Sequence, residues 1–294
     1  MSVITHLCGF PNLGNTCYMN SALQALLSSN VINTGLMMYL KKNNNSIKNT
    51  SQVVKQYCKI ILDTATKKED VYSVINFKRT LDIVNDWFRG TSQHDSNEFM
   101  VYLINEMTEE KYDKGLSDLI KKICFGKYKQ YITCSECKNT NISYFKFLDV
   151  QLPIPNKQNP DLEDCFIHFA QNEKLDDTNK WMCDICKKKV VAYKRMEIED
   201  VPEVAIFTLN RFKGTRKNEI PIKIYEHIEL EGKKLQLIST VNHYGGVGGG
   251  HYVAHVSRNN IWYRADDSRI NKINGVGQLL NDPSVYMVVY QIEM

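Results

Sequence analysis

"GFPNLGNTCYMNSALQALLSS", residues 9–29, begins as an irregular turn and ends as a helix. Ala22, Leu23, Leu26 and Leu27 recur at helical spacing, so a buried helix is expected over Cys17–Ser29, with Asn15 or Thr16 as its cap. Cys17 therefore stands where turn becomes helix. A small apolar thiol packs well in a core. A thiolate is also favoured at a helix N-terminus, where backbone N–H groups and the helix dipole attract negative charge. The rest of the chain decides between these readings.

Downstream, helical patterns continue at Gln52–Thr64, Phe77–Phe88 and Ser96–Glu110, the last with Phe99, Leu103 and Met107 on one face. From about Lys127 the pattern changes. "ISYFKFLDVQLPIP" (Ile142–Pro155) nearly alternates, placing Ile142, Tyr144, Leu148, Val150 and Leu152 on one side of a strand. Further strands are expected at Val190–Glu197, Val204–Asn210, Ile224–Leu230, Leu235–Val241, Tyr252–Ser257, Ile261–Arg264 and Val285–Gln291, with one short helix at Leu162–Gln171. Helices first and strands later give an α+β class. "KKNNNS" (Lys41–Ser46) reads as an exposed loop, and "YGGVGGG" (Tyr244–Gly250) as a flexible one.

The bulk numbers exclude several classes. A chain of 294 residues, 43% hydrophobic and 24% charged, is an ordinary globular protein of one or two domains. No apolar run approaches membrane-spanning length, so no membrane partner is expected. "MSVITHLCGF" has no charged region followed by a long apolar stretch, so no secretory signal is read there. A net charge of +4 suits an acidic or neutral partner and is too weak to point to nucleic acid. Nine cysteines, an odd number, argue against a disulfide framework and for a reducing, intracellular address, cytoplasmic or nuclear.

Four cysteines form two C-x2-C pairs, Cys134 with Cys137 and Cys183 with Cys186. Each knuckle puts two thiolates on one tight turn, so the pairs fit one tetrahedral zinc site better than a redox centre. Lysine-rich turns follow both pairs (Lys138; Lys187, Lys188, Lys189) and offset thiolate charge. Four protein ligands leave no position for substrate, so such a zinc ion is structural, and no catalytic cofactor is expected. The insert Asn139–Met182 becomes a projection stapled by the ion. Cys8, Cys58, Cys124 and Cys165 lie among apolar residues and read as core.

"VNHYGGVGGGHYVAHVSRNNIWYRADDSRI" (Val241–Ile270) is the richest stretch. A cysteine nucleophile needs a base within hydrogen-bond reach, and the base needs an orienting partner. His251 opens a strand after the glycine run, and a turn at Ser257–Asn260 would bring Asp266 back beside it. His243 and His255 read as satisfied polar residues. In "TSQHDSNEFM" (Thr91–Met100), Asp95 with Glu98 reads as a capping box, with Gln93, His94 and Asp95 as an alternative binding group.

At this point five separated motifs fall in one order. "NLGNTCYMNSALQALL", "TSQHDSNEF", "ITCSEC" with "DVQLPIP", "KWMCDICKKKVVAYKRMEIEDVPEVAIFTLNRF" and "GGGHYVAHVSRNNIWYRADD" together resemble the ubiquitin-specific proteases, papain-like cysteine deubiquitinases. The resemblance implies Cys17 as nucleophile, His251 as general base, Asp266 as orienter, Asn12 as a side-chain oxyanion donor and Asp267 as an assisting acid. It implies that Gln93, Asp95 and Tyr252 line the channel for the ubiquitin tail, and that the Tyr244–Gly250 loop rims the cleft. The implied fold is a hand over residues 1–294: a helical thumb (about 1–125), β fingers (about 126–203) and a β palm (about 204–294). The implied partners are ubiquitin and ubiquitin-conjugated proteins. The segment Lys213–Leu230 is shorter than in many members. A catalytically silent ubiquitin-binding module and a protease for a ubiquitin-like modifier are the alternatives.

Overall fold

The computed structural model describes residues 5–43 and 50–293. Residues 44–46 of the expected exposed loop fall outside these. The first portion is helical: α1 (Cys17–Leu27), α2 (Asn30–Lys42), α3 (Gln52–Thr66), α4 (Ile75–Val84), α5 (Ser96–Met107) and α6 (Lys114–Cys124). The sequence reading lacked α2 and α6. Ser29 separates α1 from α2 and starts the latter, its hydroxyl accepting from the Ile32 N–H. In α6, Asp113 caps through the Leu116 N–H, and Leu116, Ile120 and Ile123 are buried along one stripe. At α1 the expected side-chain cap is absent: the Thr16 hydroxyl accepts from the Leu13 N–H and shapes the preceding turn instead.

Strands are numbered along the chain. The main sheet runs in space as β15 (Arg269–Lys272), β14 (Ile261–Asp266), β13 (Gly249–Arg258), β12 (Lys233–Gly246), β16 (Val285–Ile292), β8 (Val204–Leu209) and β3 (Asp149–Leu152), with β11 (His227–Leu230) also paired on β12. The pair β3–β8 is parallel; the other pairs are antiparallel. A second sheet holds β2 (Thr140–Phe147), β1 (Gly126–Cys134), β7 (Ala192–Asp200) and β4 (Glu173–Leu175). Two short hairpins complete the strands, β5 (Trp181–Cys183) with β6 (Lys188–Val190), and β9 (Phe212–Lys213) with β10 (Arg216–Lys217).

Both faces of the main sheet are covered. Val204, Ile206, Val241, Met287 and Val289 join the helical core. Their neighbours Ala205, Phe207, Leu209, Val288 and Tyr290 pack on the other face with Leu162 and Cys165 of α7 (Leu162–Phe169). This two-sided burial explains the unbroken apolar runs in β8 and β16.

The segment Ile142–Leu152 is not one strand. It leaves the second sheet at Phe147 and enters the main sheet at Asp149, so Ile142 and Tyr144 are exposed while Val150 and Leu152 are buried. Sequence alternation carried across Leu148, but the sheet to which it refers changes there. For the same reason Asn139–Met182 is not wholly a projection: β3 and α7 return to the main sheet and its core. The glycine run is likewise more ordered than expected. Strand pairing continues to Gly246↔Gly249, leaving Val247 and Gly248 as the turn.

Candidate active site

Cys17 is the first residue of α1 and is buried. α1 packs on β13, and the backbone N–H of Tyr252, the residue after His251 in that strand, draws the pKa of the Cys17 thiol down. The nucleophile candidate thus opens a helix that packs against the strand carrying the base candidate, across a chain separation of more than two hundred residues. On the other side of His251, Asn259 and Asn260 turn β13 into β14 with left-handed φ values of 51° and 61°. The returning strand ends on Asp266, whose Oδ1 lies 2.7 Å from His251 Nε2. A carboxylate can only accept, so Nε2 carries the proton and Nδ1 is the ring nitrogen able to take one from a thiol.

Electrostatics at Cys17 do not favour a standing thiolate. Burial pushes its pKa up, and the Asp267 charge adds to this. The backbone N–H groups of Tyr252, Tyr18 and Cys17 itself pull the other way. Burial outweighs the helix start, contrary to the simple expectation from a helix N-terminus. Cys58 is a useful contrast: burial raises it to about 12, opposed only by its own backbone N–H.

Asp267 faces the turn before α1. Its Oδ2 accepts from Asn12 Nδ2 at 2.8 Å, its Oδ1 from Asn20 Nδ2 at 2.7 Å, and its carbonyl from the Phe10 N–H. It adopts a left-handed φ of 51°. Asn12 Oδ1 accepts from the Gly14 and Thr16 N–H groups, which fixes the amide in the turn. The chain before Asn12 passes so close that a Cβ on Gly9 would fall 2.2 Å from the Ser268 carbonyl oxygen.

A cleft of about 550 Å³ opens beside Tyr252, lined by Trp87, Gln93 and Asp95 and by His243, Val247 and Gly250. Gln93 grips Gly250 twice, donating to its carbonyl at 3.2 Å and accepting from its N–H at 3.1 Å. Asp95 caps α5 through the Asn97 and Glu98 N–H groups, and its second oxygen accepts from the hydroxyls of Tyr252 and Tyr286. Glu98 does not complete the box; its carboxylate accepts from Trp87. His243 and His255 are buried and pushed down to about 4, so both are neutral at neutral pH.

At the far end of the second sheet lie Cys134, Cys137, Cys183 and Cys186. Their sulfurs fall within 4.8 Å of one another. Cys134 and Cys186 are 3.9 Å apart and Cys137 and Cys183 3.7 Å, near the roughly 3.8 Å edge of a tetrahedron with metal–sulfur bonds of about 2.3 Å. In each knuckle the second cysteine's N–H points at the first sulfur. Lys138 and Lys187 hold left-handed φ just past the knuckles. All four cysteines are free thiols, and the group can hold a metal ion.

A family model described as ubiquitin carboxyl-terminal hydrolase matches residues 8–290. The chain belongs to the ubiquitin carboxyl-terminal hydrolase family. Among curated proteins it is 24% identical over 329 residues to ubiquitin carboxyl-terminal hydrolase Usp2 of Drosophila melanogaster, covering 97% of this chain and 35% of that one. It is 26% identical over 320 residues to probable ubiquitin carboxyl-terminal hydrolase 16 of Schizosaccharomyces pombe, covering 99% and 68%. The chain thus spans about a third of the length of the first of these relatives. Among solved structures, the SAGA Ubp8/Sgf11/Sus1/Sgf73 DUB module bound to ubiquitin aldehyde aligns with a TM-score of 0.82 at 24% identity, covering 100% of this chain and 71% of that one. This likeness is one of fold, and it matches the expected α+β hand with a helical thumb, a β palm and fingers bearing the four cysteines.

The structure of this family member also places residues that the sequence reading passed over. Asn20, Tyr286 and Arg264 each hydrogen-bond an acidic residue at the site. For Asn20 a signal existed: α1 is buried on every face, so its polar residues Asn20, Ser21 and Gln24 require partners. Among the described residues no helix is long and apolar enough to cross a membrane.

Proposed function

We propose that this chain is a deubiquitinating thiol protease, hydrolysing the peptide or isopeptide bond after the C-terminal glycine of ubiquitin. The observation that carries the reading is a His251 whose Nε2 lies 2.7 Å from Asp266, on the strand against which the helix begun by Cys17 packs. His251 Nδ1 takes the Cys17 proton as substrate arrives, because burial keeps the resting thiol protonated. The thiolate attacks the glycine carbonyl. The Cys17 backbone N–H and the second N–H of the Asn12 amide meet the oxyanion, the first being held by Asp267. His251 then protonates the leaving amine, and water, deprotonated by His251, hydrolyses the thioester.

The cleft beside Gln93, Asp95 and Tyr252 suits an extended tail ending in two glycines. Asp95 caps α5 and offers a carboxylate to an arginine-bearing tail, so its two roles coexist. As a division of the hand, the thumb is about 1–125, the fingers about 126–203 and the palm about 204–294, with β3 and α7 lending the middle of the fingers range to the palm. Cys134, Cys137, Cys183 and Cys186 would hold one structural Zn2+, which supplies a fixed tetrahedral anchor. A reducing compartment, cytoplasm or nucleus, suits a protein of free thiols.

The test is ubiquitin carrying a C-terminal cysteine-reactive electrophile, run beside ubiquitin-like modifiers with the same warhead. An adduct on Cys17 with ubiquitin, absent in Cys17→Ala, is the expected result. Binding without an adduct would make the chain a silent module, and preference for another modifier would move the substrate.

A further inference from the structure

We propose that Arg264 is a positioning residue that ties the triad carboxylate to the stem of the glycine-rich hairpin. The inference rests on the Cys17–His251–Asp266 reading and adds to it a means by which the cleft rim reports to the acid.

Asp266 has two oxygens, and both are committed. Oδ1 takes the His251 Nε2 proton, and Oδ2 accepts from Arg264 Nη2 at 2.9 Å. The carboxylate cannot turn about its own bond without losing one of them. Arg264 therefore sets the angle at which Oδ1 meets the imidazole.

The same guanidinium has a second engagement. Its central carbon lies 5.7 Å from the centre of the Tyr244 ring. Strand register explains the meeting. Arg264 on β14 is opposite His255 on β13, and Tyr244 on β12 is opposite His251. Residues 251 and 255 point to one face of the sheet, so Tyr244, His251, Arg264 and Asp266 share that face. The Arg264 side chain reaches back along it from the His255 row to the His251 row.

Tyr244 is anchored at its far end, its hydroxyl 3.4 Å from Asp282 Oδ2. Asp282 is itself fixed by Asn242 and by the Ser284 hydroxyl and N–H. Immediately after Tyr244 comes Gly245 with φ +99°, then the turn that rims the cleft. Gln93 holds the returning strand at Gly250. A displacement of this hairpin moves the Tyr244 ring, and with it the face on which Arg264 rests.

Two further facts favour positioning over stability. The Arg264 side chain is 42% exposed, so its ion pair adds little to folding. Its Nε is buried without a hydrogen-bond partner. A guanidinium placed for maximal bonding would not leave that donor empty; this one is placed for the Asp266 contact and the ring face.

The experiment compares wild type, Arg264→Met, Arg264→Lys and Tyr244→Leu as full chains, using ubiquitin with a fluorogenic C-terminal amide. Arg264→Met is expected to lower kcat roughly tenfold with KM changed less than about twofold, because the acid is misaimed while the cleft is intact. Arg264→Lys should recover most of that loss, and Tyr244→Leu should lower kcat by about threefold. Proton NMR of the free chain gives an independent readout. The downfield resonance of the His251 Nε2–H bonded to Asp266 should shift or broaden in Arg264→Met and persist in Arg264→Lys. Wild-type kcat in Arg264→Met, or an unmoved resonance, overturns the proposal. Should the wild-type chain neither turn over nor react with the electrophilic probe, the protease reading fails, and the NMR comparison still decides the role of Arg264.

Discussion

Cysteine does opposite work at the two ends of this molecule. At the cleft, one thiol is buried against the large helical core, and its partners come from remote strands. At the tip of the second sheet, four thiols sit on two tight turns above a core whose buried members are only Cys134, Cys183 and Val190. The cleft is held by tertiary packing, so the groups proposed to act there can be unlike one another: a thiol, an imidazole and a carboxylate. The tip has little apolar surface of its own, and its four clustered thiols could supply through a metal ion what packing lacks.

The sharpest way to break this contrast is to challenge the proposed zinc site. Structural zinc contributes on the order of 10 kcal/mol to small finger folds. Chelation, or Cys183→Ser, is expected to open the two knuckle segments, residues 134–140 and 181–190, to proteolysis while amides of β8 and β16 keep their hydrogen-exchange protection. Simultaneous loss of both would mean that the tip and the main core form one cooperative unit. The second test addresses the cleft. Losing one oxyanion donor typically costs about 3 kcal/mol of transition-state stabilisation, so Asn12→Ala should reduce kcat roughly a hundredfold. Its melting temperature should fall only modestly, the loss being that of an exposed turn; an unchanged kcat would leave Asn12 as a structural partner of Asp267, Gly14 and Thr16. The smallest effect belongs to Tyr286→Phe. It removes one of four hydrogen bonds to Asp95 and should cost about 1 kcal/mol of stability with little change in kcat, measured by denaturant titration and steady-state kinetics.

The contrast also explains what was legible in the sequence. The knuckles were plain because their ligands are local: two residues between cysteines are enough to specify the turn. The helices α1, α3 and α5 were plain because periodicity is local too. Asp95 as a cap was readable from its spacing, whereas its bonds to Tyr252 and Tyr286 are made across the fold and leave no trace in neighbouring residues. The Ile142–Leu152 alternation misled because a period of two says which side a residue faces but not of which sheet. The cap expected of Thr16 failed for a related reason: its hydroxyl was taken by Leu13, closing a turn that a helical pattern does not describe. The pairing of His251 with Asp266 was inferred from the expected turn at Ser257–Asn260 and from residue chemistry. The raised thiol pKa was not, since it depends on burial that only the folded chain supplies.

One backbone angle carries an evolutionary consequence. Asp267 combines a left-handed φ of 51° with two accepting carboxylate oxygens. The conformation admits glycine, asparagine and aspartate readily and penalises β-branched side chains. The hydrogen bonds exclude glycine, which offers no acceptor. Drift at this position is thereby confined to aspartate, since asparagine would set its own NH2 group against one of the two amide donors.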